Sequence, residues 1–273
     1  MFSFLRYIKS ISPRKILPMW LLLGSIYRYF IKKLKINFYV NQKVSIYGPF
    51  KFHCFFAFSN FRNWGSEKNS IFPLMMKKCK YKKCIVDIGA HIGLMTLPLS
   101  SRVKKDTKII SFEPSAVNRK FLKLHILKNK IRNVDIINKL VGQKVTKNVL
   151  FYESNEPTGM NSIIKFDKKV LFKKKLKKQI SLDSYFEKNK YKPDLIKIDA
   201  EGSELYILKG SIKTILKYKP EIFLSVHKKH FKILGVRINE FFNFLKKINY
   251  NIKDSSGEFS KNLNSKEYYL YSK

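Results

Sequence analysis

Three acidic residues come directly after short apolar runs of the sequence. Asp87 closes the run CIVD, Glu113 closes IISFE and Asp199 closes DLIKID. A carboxylate at the end of a buried strand can hold a cationic ligand, accept ribose hydroxyls or take up a proton. Because the carboxyl ends of parallel strands meet at one edge of a sheet, we expect the three acids to border a single site.

The segment after Asp87 predicts a turn that a ligand can approach closely. Gly89 and Gly93 have G-x-x-x-G spacing, which differs from the G-x-G-x-x-G that receives a pyrophosphate on a helix N-terminus. Asp87 would repel a diphosphate but suits the sulfonium and ammonium groups of S-adenosylmethionine. The two glycines would let the backbone reach the methionyl part of that ligand, where a Cβ would intrude. The alternative is an ordinary strand-to-helix turn that holds two glycines.

Glu113 lies 20 residues after Gly93, at the predicted tip of the second strand. An acid in this place can accept both ribose hydroxyls of an adenosine, and Pro114 would hold the turn that follows. NAD requires an acid at a similar position. Glu113 therefore indicates an adenosine-type ligand, and the glycine turn favours S-adenosylmethionine over NAD.

The third acid, Asp199, has a lysine on the same face of its strand. Strand alternation places Lys197 and Asp199 on one side. A buried lysine needs a partner, so we expect an ion pair or a ligand contact. Glu201 and Glu204 follow where a helix begins, and acids stabilise that end of a helix. The segment is interpreted as a reaction centre; the alternative is a capped helix with a structural salt bridge.

Removing a proton from an acceptor hydroxyl would require a base near this strand end. The candidates, in order, are Asp199, then His227 at the end of the run EIFLSVH, then Glu201. A histidine that ends a strand can also serve the structure alone. His227 and His230 are three residues apart, which is weak evidence for a metal site, and the sequence predicts no metal.

From about residue 66 the sequence alternates between strand and helix patterns. Apolar runs predict five strands, and segments of helical spacing lie between them, including one helix over ELYILKGSIKTILKYK. A small β insertion is predicted from NVLFYES and NSIIKF, on either side of a turn at Pro157–Gly159. YNIKDSS and KEYYLYS are expected to close the sheet as a pair. Apolar strands buried on both faces indicate a mostly parallel α/β sheet.

Residues 1–45 are predicted to form a basic, aromatic-rich N-terminal extension, followed by one domain over residues 46–273. The segment RKILPMWLLLGSIYRYFIKKLK has about a dozen apolar residues between basic flanks, fewer than the ~20 that a spanning helix needs. It also lacks a signal-peptide cleavage pattern. It is interpreted either as a helix packed on the domain or as a segment, within residues 1–40, that lies on an anionic membrane surface. The following VSIYGPFKF predicts strands with a turn at Gly48–Pro49.

The chain of 273 residues has 56 Lys and Arg against 19 Asp and Glu, which gives a net charge of +37. A field of this sign attracts nucleic acid, anionic lipid or acidic glycan. The residues that AT-rich codons favour are also abundant, so genome composition is a competing explanation of the charge. The three cysteines form no C-x-x-C pair, which favours a reducing cytoplasm over a disulfide framework or a structural zinc.

In their order and spacing, six motifs resemble the FkbM family of S-adenosylmethionine-dependent methyltransferases. The matching segments are VDIGAHIG, SFEP, SLDSYF, IKIDAEGSE, KGSIKTIL and EIFLSVH, and the resemblance covers roughly residues 66–252. It implies a Rossmann-like class I methyltransferase fold, in which a seven-stranded, mostly parallel sheet with an antiparallel last strand has helices on both faces.

The resemblance also implies the residues of the site. The cofactor-binding residues that it implies are Asp87, Gly89, Ala90, His91, Gly93, Glu113 and Pro114. Asp199 and Glu201 would line the place where methyl donor and acceptor meet, and Asn161 and Ser162 would help to close it. Two positions depart from the family pattern: His91 stands where Asn is commoner, and Ser225 stands where an acid often precedes the strand-end histidine.

The expected function is O-methylation of a hydroxyl on a sugar, a glycan or a sugar-linked metabolite, where the sugar comes from the resemblance alone. One alternative is methylation of RNA, which the charge favours; the sequence has no N/D-P-P-Y/F motif and no appended RNA-binding module. Another is a non-enzymatic protein that binds a polyanion or a membrane and retains the fold. We expect a cytoplasmic location, with peripheral membrane contact as an open question, and the oligomeric state is also left open.

Overall fold

A computed structural model describes residues 2–66, 69–165, 171–263 and 266–273. Its α-helices are α1 (Phe2–Ile11), α2 (Leu17–Lys33), α3 (Phe72–Lys78), α4 (Thr96–Arg102), α5 (Ala116–Lys128), α6 (Leu182–Glu187), α7 (Glu204–Lys209), α8 (Ile212–Tyr218), α9 (Lys228–Ile233) and α10 (Ile238–Lys247). Its strands are β1 (Tyr39–Val44), β2 (Tyr47–His53), β3 (Cys84–Ile88), β4 (Lys108–Phe112), β5 (Val134–Ile137), β6 (Leu140–Val141), β7 (Thr146–Ser154), β8 (Phe172–Ile180), β9 (Leu195–Ile198), β10 (Glu221–Ser225), β11 (Tyr250–Asp254) and β12 (Glu267–Ser272).

The largest sheet in the described residues has seven strands in the order β11-β12-β10-β9-β3-β4-β5. Strands β10, β9, β3, β4 and β5 pair in parallel, and β12 is antiparallel to both of its neighbours. The predicted class I methyltransferase fold is therefore confirmed. The strand order reverses between β3 and β9, and the carboxyl ends of a parallel sheet form a crevice at such a switch point.

The central strands are buried on both faces, as their continuous apolar runs require. Alternate residues of β3 point to opposite sides of the sheet. Val86 and Ile88 pack into a cluster with Leu205 and Leu208 of α7. Ile85, on the other side, packs with Met75 of α3. This two-sided packing fixes the register, so that Glu113 after β4 and Asp199 after β9 emerge at the edge where β3 ends.

The hairpin β1–β2 corrects the turn predicted at Gly48–Pro49. Val44 pairs with Tyr47, so the turn lies at residues 45–46, and Gly48 and Pro49 lie inside β2. A two-residue loop requires positive φ at its centre, and Ser45 has φ of 54°. The boundary predicted after residue 45 falls within this turn, between two strands that pair with each other.

The small β insertion also differs from its prediction. Strand β7 pairs antiparallel with β8 at residues 172–180, whereas the predicted partner NSIIKF contributes a single bridge from Ser162 to Tyr152, and its Phe166 lies outside the described residues. The prediction missed β8 because its sequence, FKKKLKKQI, is mostly lysine, which is depleted in strands, and because most of its residues face solvent.

The helix predicted over residues 204–219 is interrupted. It forms α7 and α8, with a break at Gly210 and Ser211. The backbone of Gly210 lies against the chain after β6, and a Cβ on this residue would be 2.1 Å from the carbonyl oxygen of Gly142. This close approach is a tertiary contact, which helical periodicity does not report.

Candidate active site

A cavity of about 450 Å³ opens at the carboxyl ends of β3, β4 and β9. Its wall comprises the turn after β3, the segment after β4, residues 159–163 beyond β7, and the chain that follows β9. The predicted site residues on this wall are Gly89, Ala90, His91, Glu113, Pro114, Asn161, Ser162, Asp199 and Glu201. Asp87, Gly93 and His227 are not on the wall. Nine of the predicted residues therefore line one cavity, and their roles stay a prediction.

The turn after β3 depends on Gly89. This residue has φ of 75°, and a Cβ on it would lie 1.9 Å from the backbone oxygen of Asp199. A side chain would therefore push apart the ends of β3 and β9, on which the cavity is built. Gly89 therefore allows the ends of β3 and β9 to approach each other, in addition to any room that it leaves for a ligand.

Asp87 is fully buried and holds Lys197. Its Oδ1 lies 3.2 Å from Nζ of Lys197, and its Oδ2 accepts a hydrogen bond of 2.7 Å from Oγ1 of Thr96. Asp87 and Lys197 are opposite each other in the parallel pair β3–β9. The partner expected for a buried Lys197 is thus present. Asp87 acts through this ion pair, since its carboxylate lies beneath the turn and off the cavity wall.

Lys197 links the turn to Asp199. Its Nζ donates to the backbone oxygens of Ile88, at 3.1 Å, and Gly89, at 3.0 Å, and lies 3.9 Å from Oδ2 of Asp199. Burial opposes the charge on this ammonium, but the carboxylates of Asp87 and Asp199 outweigh it and raise its pKa above the ordinary value. Lys197 therefore stays charged and attracts the Asp199 carboxylate.

Glu113 closes the side of the cavity beside the glycine turn. Its Oε2 accepts a hydrogen bond of 2.7 Å from the backbone N–H of His91, and its Oε1 accepts one of 2.8 Å from Ser115. Burial raises the pKa of the carboxyl to about 7, although the two N–H groups favour the ionised form. Each carboxylate oxygen retains a lone pair, so the group can still accept hydrogen bonds from a ligand.

We expect Glu113 to make the folded state less stable as the pH rises from about 4.5 to about 7. In this window the carboxyl ionises in the unfolded chain but stays protonated in the folded protein. The free energy of unfolding therefore falls, by roughly 3 kcal/mol once the pH is above 7. Glu113→Gln should remove this component. Urea unfolding of both proteins across the window measures it, with Glu258→Gln at an exposed position as the control. Equal pH dependence in wild type and Glu113→Gln would contradict the assignment.

The backbone conformation at residue 91 accommodates His as well as the commoner Asn. Its φ is 54°, in the left-handed region where Asn, Asp and His are the enriched residues other than glycine. Burial lowers the pKa of its imidazole to about 4, so the ring is neutral at physiological pH. Its Nε2 is buried and has no hydrogen-bond partner among the described residues, and the ring lines the cavity. This atom is available to a bound ligand.

A histidine surrounded by carboxylates lies behind Asp199 and Glu201. Nδ1 of His227 is 2.7 Å from Oε1 of the buried Glu204, and its Nε2 is 3.4 Å from Glu201 and 3.8 Å from Asp199. Burial lowers the pKa of this imidazole, but the carboxylates of Glu201 and Glu204 outweigh it and raise the pKa to about 11. An imidazolium already carries its proton, so Asp199 is the better candidate for a base than His227.

The same carboxylates bring three possible metal ligands together. Donor atoms of Glu201, His227 and His230 all lie within 4.8 Å of one another. The sequence predicts no metal, and this absence stays a prediction.

Sequence reasoning missed two positioning residues. From the sequence, Glu204 was interpreted as an acid that stabilises a helix N-terminus, yet in the structure it contacts His227. The two residues are 23 positions apart in the sequence, so no local pattern reveals the pair. Asn118 of α5 holds the polar segment over the cavity, since it donates to the oxygen of Thr158 at 2.8 Å and accepts from its N–H at 3.1 Å. No sequence motif distinguishes this Asn from the other polar residues of its helix.

The family model described as methyltransferase FkbM domain matches residues 87–252, which include the turn after β3, Glu113, and the acids after β9. The chain belongs to the FkbM methyltransferase family. It is therefore a methyltransferase with S-adenosylmethionine as its expected donor. No curated protein matches the chain.

Solved structures of similar fold were also found. The FkbM methyltransferase from Methylobacillus flagellatus KT is 19% identical, with a TM-score of 0.46; the match covers 71% of this chain and 44% of that chain. A protein described as an O-methyltransferase from Klebsiella pneumoniae is 12% identical, with a TM-score of 0.44, over 76% of this chain and 80% of that chain. A Streptococcus mutans methyltransferase in complex with SAH is 12% identical, with a TM-score of 0.42, over 74% and 94%.

The cavity of this FkbM protein fits S-adenosylmethionine in its chemistry. Glu113 is an acceptor at the tip of the second strand of the parallel sheet, where a ribose would lie. His91 presents an unpartnered Nε2, and Asp199 also lines the cavity. A volume of about 450 Å³ lies within the range of small-molecule sites.

Proposed function

We propose that this FkbM protein transfers a methyl group to a hydroxyl oxygen of a sugar, a glycan or a sugar-linked metabolite, a reaction of the EC 2.1.1 class. The observation that carries the proposal is the position of Asp199. This carboxylate is on the cavity wall with 29% of its side chain exposed, and two cationic groups lie beside it. The sugar is suggested by the family resemblance.

Each residue then has a defined task. S-adenosylmethionine supplies an activated methyl group when it is bound, so the protein mainly has to orient the acceptor, which can contribute about 7–11 kcal/mol. Asp199 accepts the proton of the acceptor hydroxyl, worth ~10²–10⁴-fold in rate. Lys197 and the imidazolium of His227 hold this carboxylate in place. Glu113 and His91 accept hydrogen bonds from the polar groups of S-adenosylmethionine.

Calorimetry with S-adenosylmethionine tests the donor site. Saturable binding is expected. At a pH above the Glu113 pKa of about 7, where this carboxyl is ionised, Glu113→Gln should weaken binding by at least ~10-fold, because a hydrogen bond to a charged acceptor contributes about 1.5–3 kcal/mol. Glu258→Gln, at an exposed position, should bind as wild type does. A chain that binds no donor would be a non-enzymatic relative that retains the fold.

The acceptor is identified by incubating the protein with methyl-labelled S-adenosylmethionine and a host glycan extract. Label that appears in alkali-stable methyl ethers of sugars supports O-methylation. Label in other products, with none in the sugars, would contradict the proposed acceptor.

RNA is a second candidate acceptor because of strand β8. It presents Lys173, Lys174 and Lys175 to solvent, in a sheet whose Phe151 also lines the cavity. Labelled RNA, together with a retention that falls steeply with salt, would favour this candidate over a sugar. Neutral replacement of the three lysines should then reduce the salt slope by up to ~3.

We also propose a cytoplasmic location. Cys54, Cys79 and Cys84 are all buried and none forms a disulfide. Burial raises the pKa of the Cys79 thiol to about 11, so it is a poor nucleophile at neutral pH. Three buried free thiols suit a reducing compartment. Thiol titration of unfolded protein purified from its host measures the number of free cysteines, and three are expected.

A further inference from the structure

The outward side of α2 is an apolar surface. Eight large apolar side chains of this helix are 43–61% exposed. Six of them share one side, and we call these the α2 face: Met19, Leu22, Leu23, Ile26, Tyr29 and Phe30. Their spacing places them together on one side of a helix. Side chains of this size in a contiguous exposed group indicate a surface that contacts a partner or a membrane.

The opposite side of α2 fixes the helix on the domain. Trp20, Gly24 and Ile31 are buried, and the hydroxyl of Tyr27 donates a hydrogen bond of 3.1 Å to the backbone oxygen of Cys54. Helix α1 is held as well, since Arg6 donates to the oxygen of Ala57 at 2.9 Å. Helix α2 therefore packs on the domain and presents the α2 face outward. The two interpretations of this segment from the sequence, a helix packed on the domain and a segment on a membrane surface, are thus compatible with each other.

The charge around the α2 face is mainly positive, with Glu156, paired with Lys32, as an acid beside it. All 19 acids of the chain come after residue 66, whereas the earlier residues include 11 Lys and Arg. Lys15 precedes α2, Lys32 and Lys33 are in its last turn, and Lys35 follows it, all exposed. Codon bias can enrich lysine, but it does not account for a segment without acids in a chain that has them elsewhere.

We propose that α1 and α2 bind the surface of an anionic lipid bilayer, with the α2 face in the boundary between headgroups and acyl chains. The apolar residues would enter the boundary and the lysines would contact the headgroups, as in other interfacial helices. In the described part of the chain, no helix is long and apolar enough to cross a membrane. A second copy of the chain is a poorer occupant, because it would bring its own cations against these lysines.

The membrane surface lies next to the cavity in this arrangement. Lys32 of α2 forms an ion pair with Glu156, two residues before Thr158, which Asn118 holds. Residues 159–163, directly after this turn, are part of the cavity wall. If the proposed methyl transfer is correct, on which this step rests, the acceptor is a hydroxyl carried at the bilayer surface, on a lipid-linked sugar.

Vesicle flotation of the full chain tests the anchor. Wild type should float with vesicles of phosphatidylcholine and phosphatidylglycerol, and much less with phosphatidylcholine alone. Leu22→Ser/Ile26→Ser/Phe30→Ser should reduce partitioning by ~100-fold or more, given the apolar area lost. The matched control, Leu127→Ser/Leu171→Ser/Leu176→Ser, removes three apolar side chains that are even more exposed and lie outside α1 and α2, and it should float as wild type does.

Two flotation results would overturn the anchor: wild type that does not bind anionic vesicles, or an α2 variant that floats as well as wild type. If wild type does not float and light scattering shows a wild-type dimer that the α2 variant converts to a monomer, the α2 face is an interface between copies. Calorimetry with S-adenosylhomocysteine separates this failure from failure of the proposed function, because donor binding does not require the α2 face.

Discussion

Asp199→Asn is expected to lower kcat by ~10²–10⁴-fold, the usual contribution of a general base. The amide keeps the shape of the carboxylate and cannot take a proton from a hydroxyl. Donor binding should persist, since Glu113 and His91 are unchanged. Lys197 remains paired with Asp87, 3.2 Å away, so the fold should also persist.

Single-turnover transfer of labelled methyl to the acceptor found in the glycan extract measures this loss, and calorimetry with S-adenosylhomocysteine measures donor affinity. Asp135→Asn is the matched control, because it makes the same change in a half-exposed residue of β5 that pairs with Lys108. A variant with wild-type kcat would exclude Asp199 as the base. His227→Asn then distinguishes the remaining candidates by its pH profile.

Asp87→Asn is expected to lower the free energy of unfolding by about 3–5 kcal/mol, because removal of one partner leaves a buried charge without compensation. Lys197, with 5% of its side chain exposed, would keep Asp199 at 3.9 Å and two backbone oxygens as its partners. These contacts place the expected loss at the lower end of the range. Chemical denaturation measures it.

A double variant separates the pair from other effects of the substitution. Asp87→Asn/Lys197→Met removes both charges, so it should lose less stability than the sum of the two single variants. Glu240→Gln is the control at the surface, where its pair with Lys209 should contribute about 1 kcal/mol or less. Additive losses in the double variant would show that Asp87 stabilises the turn independently of Lys197.

The main sheet was predictable because its strands are apolar on both faces, a pattern visible in local sequence. Runs such as CIVDI and LIKI are buried in the structure throughout. Strand β8 was not predictable, because its lysines face solvent and it is defined by pairing with β7. The break at Gly210 was missed for a related reason, since a backbone contact with Gly142 causes it.

The sequence by itself determined that acids end three predicted strands and that a turn with two glycines follows the first of them. These properties follow from residue type and from the geometry of parallel strands. Only the tertiary structure decided what each acid contacts. It placed Asp87 on Lys197 behind the turn, Glu204 on His227, and Asp199 on the cavity wall. The physical reason is that pairing across β3 and β9, and burial that shifts a pKa, depend on residues distant in the chain.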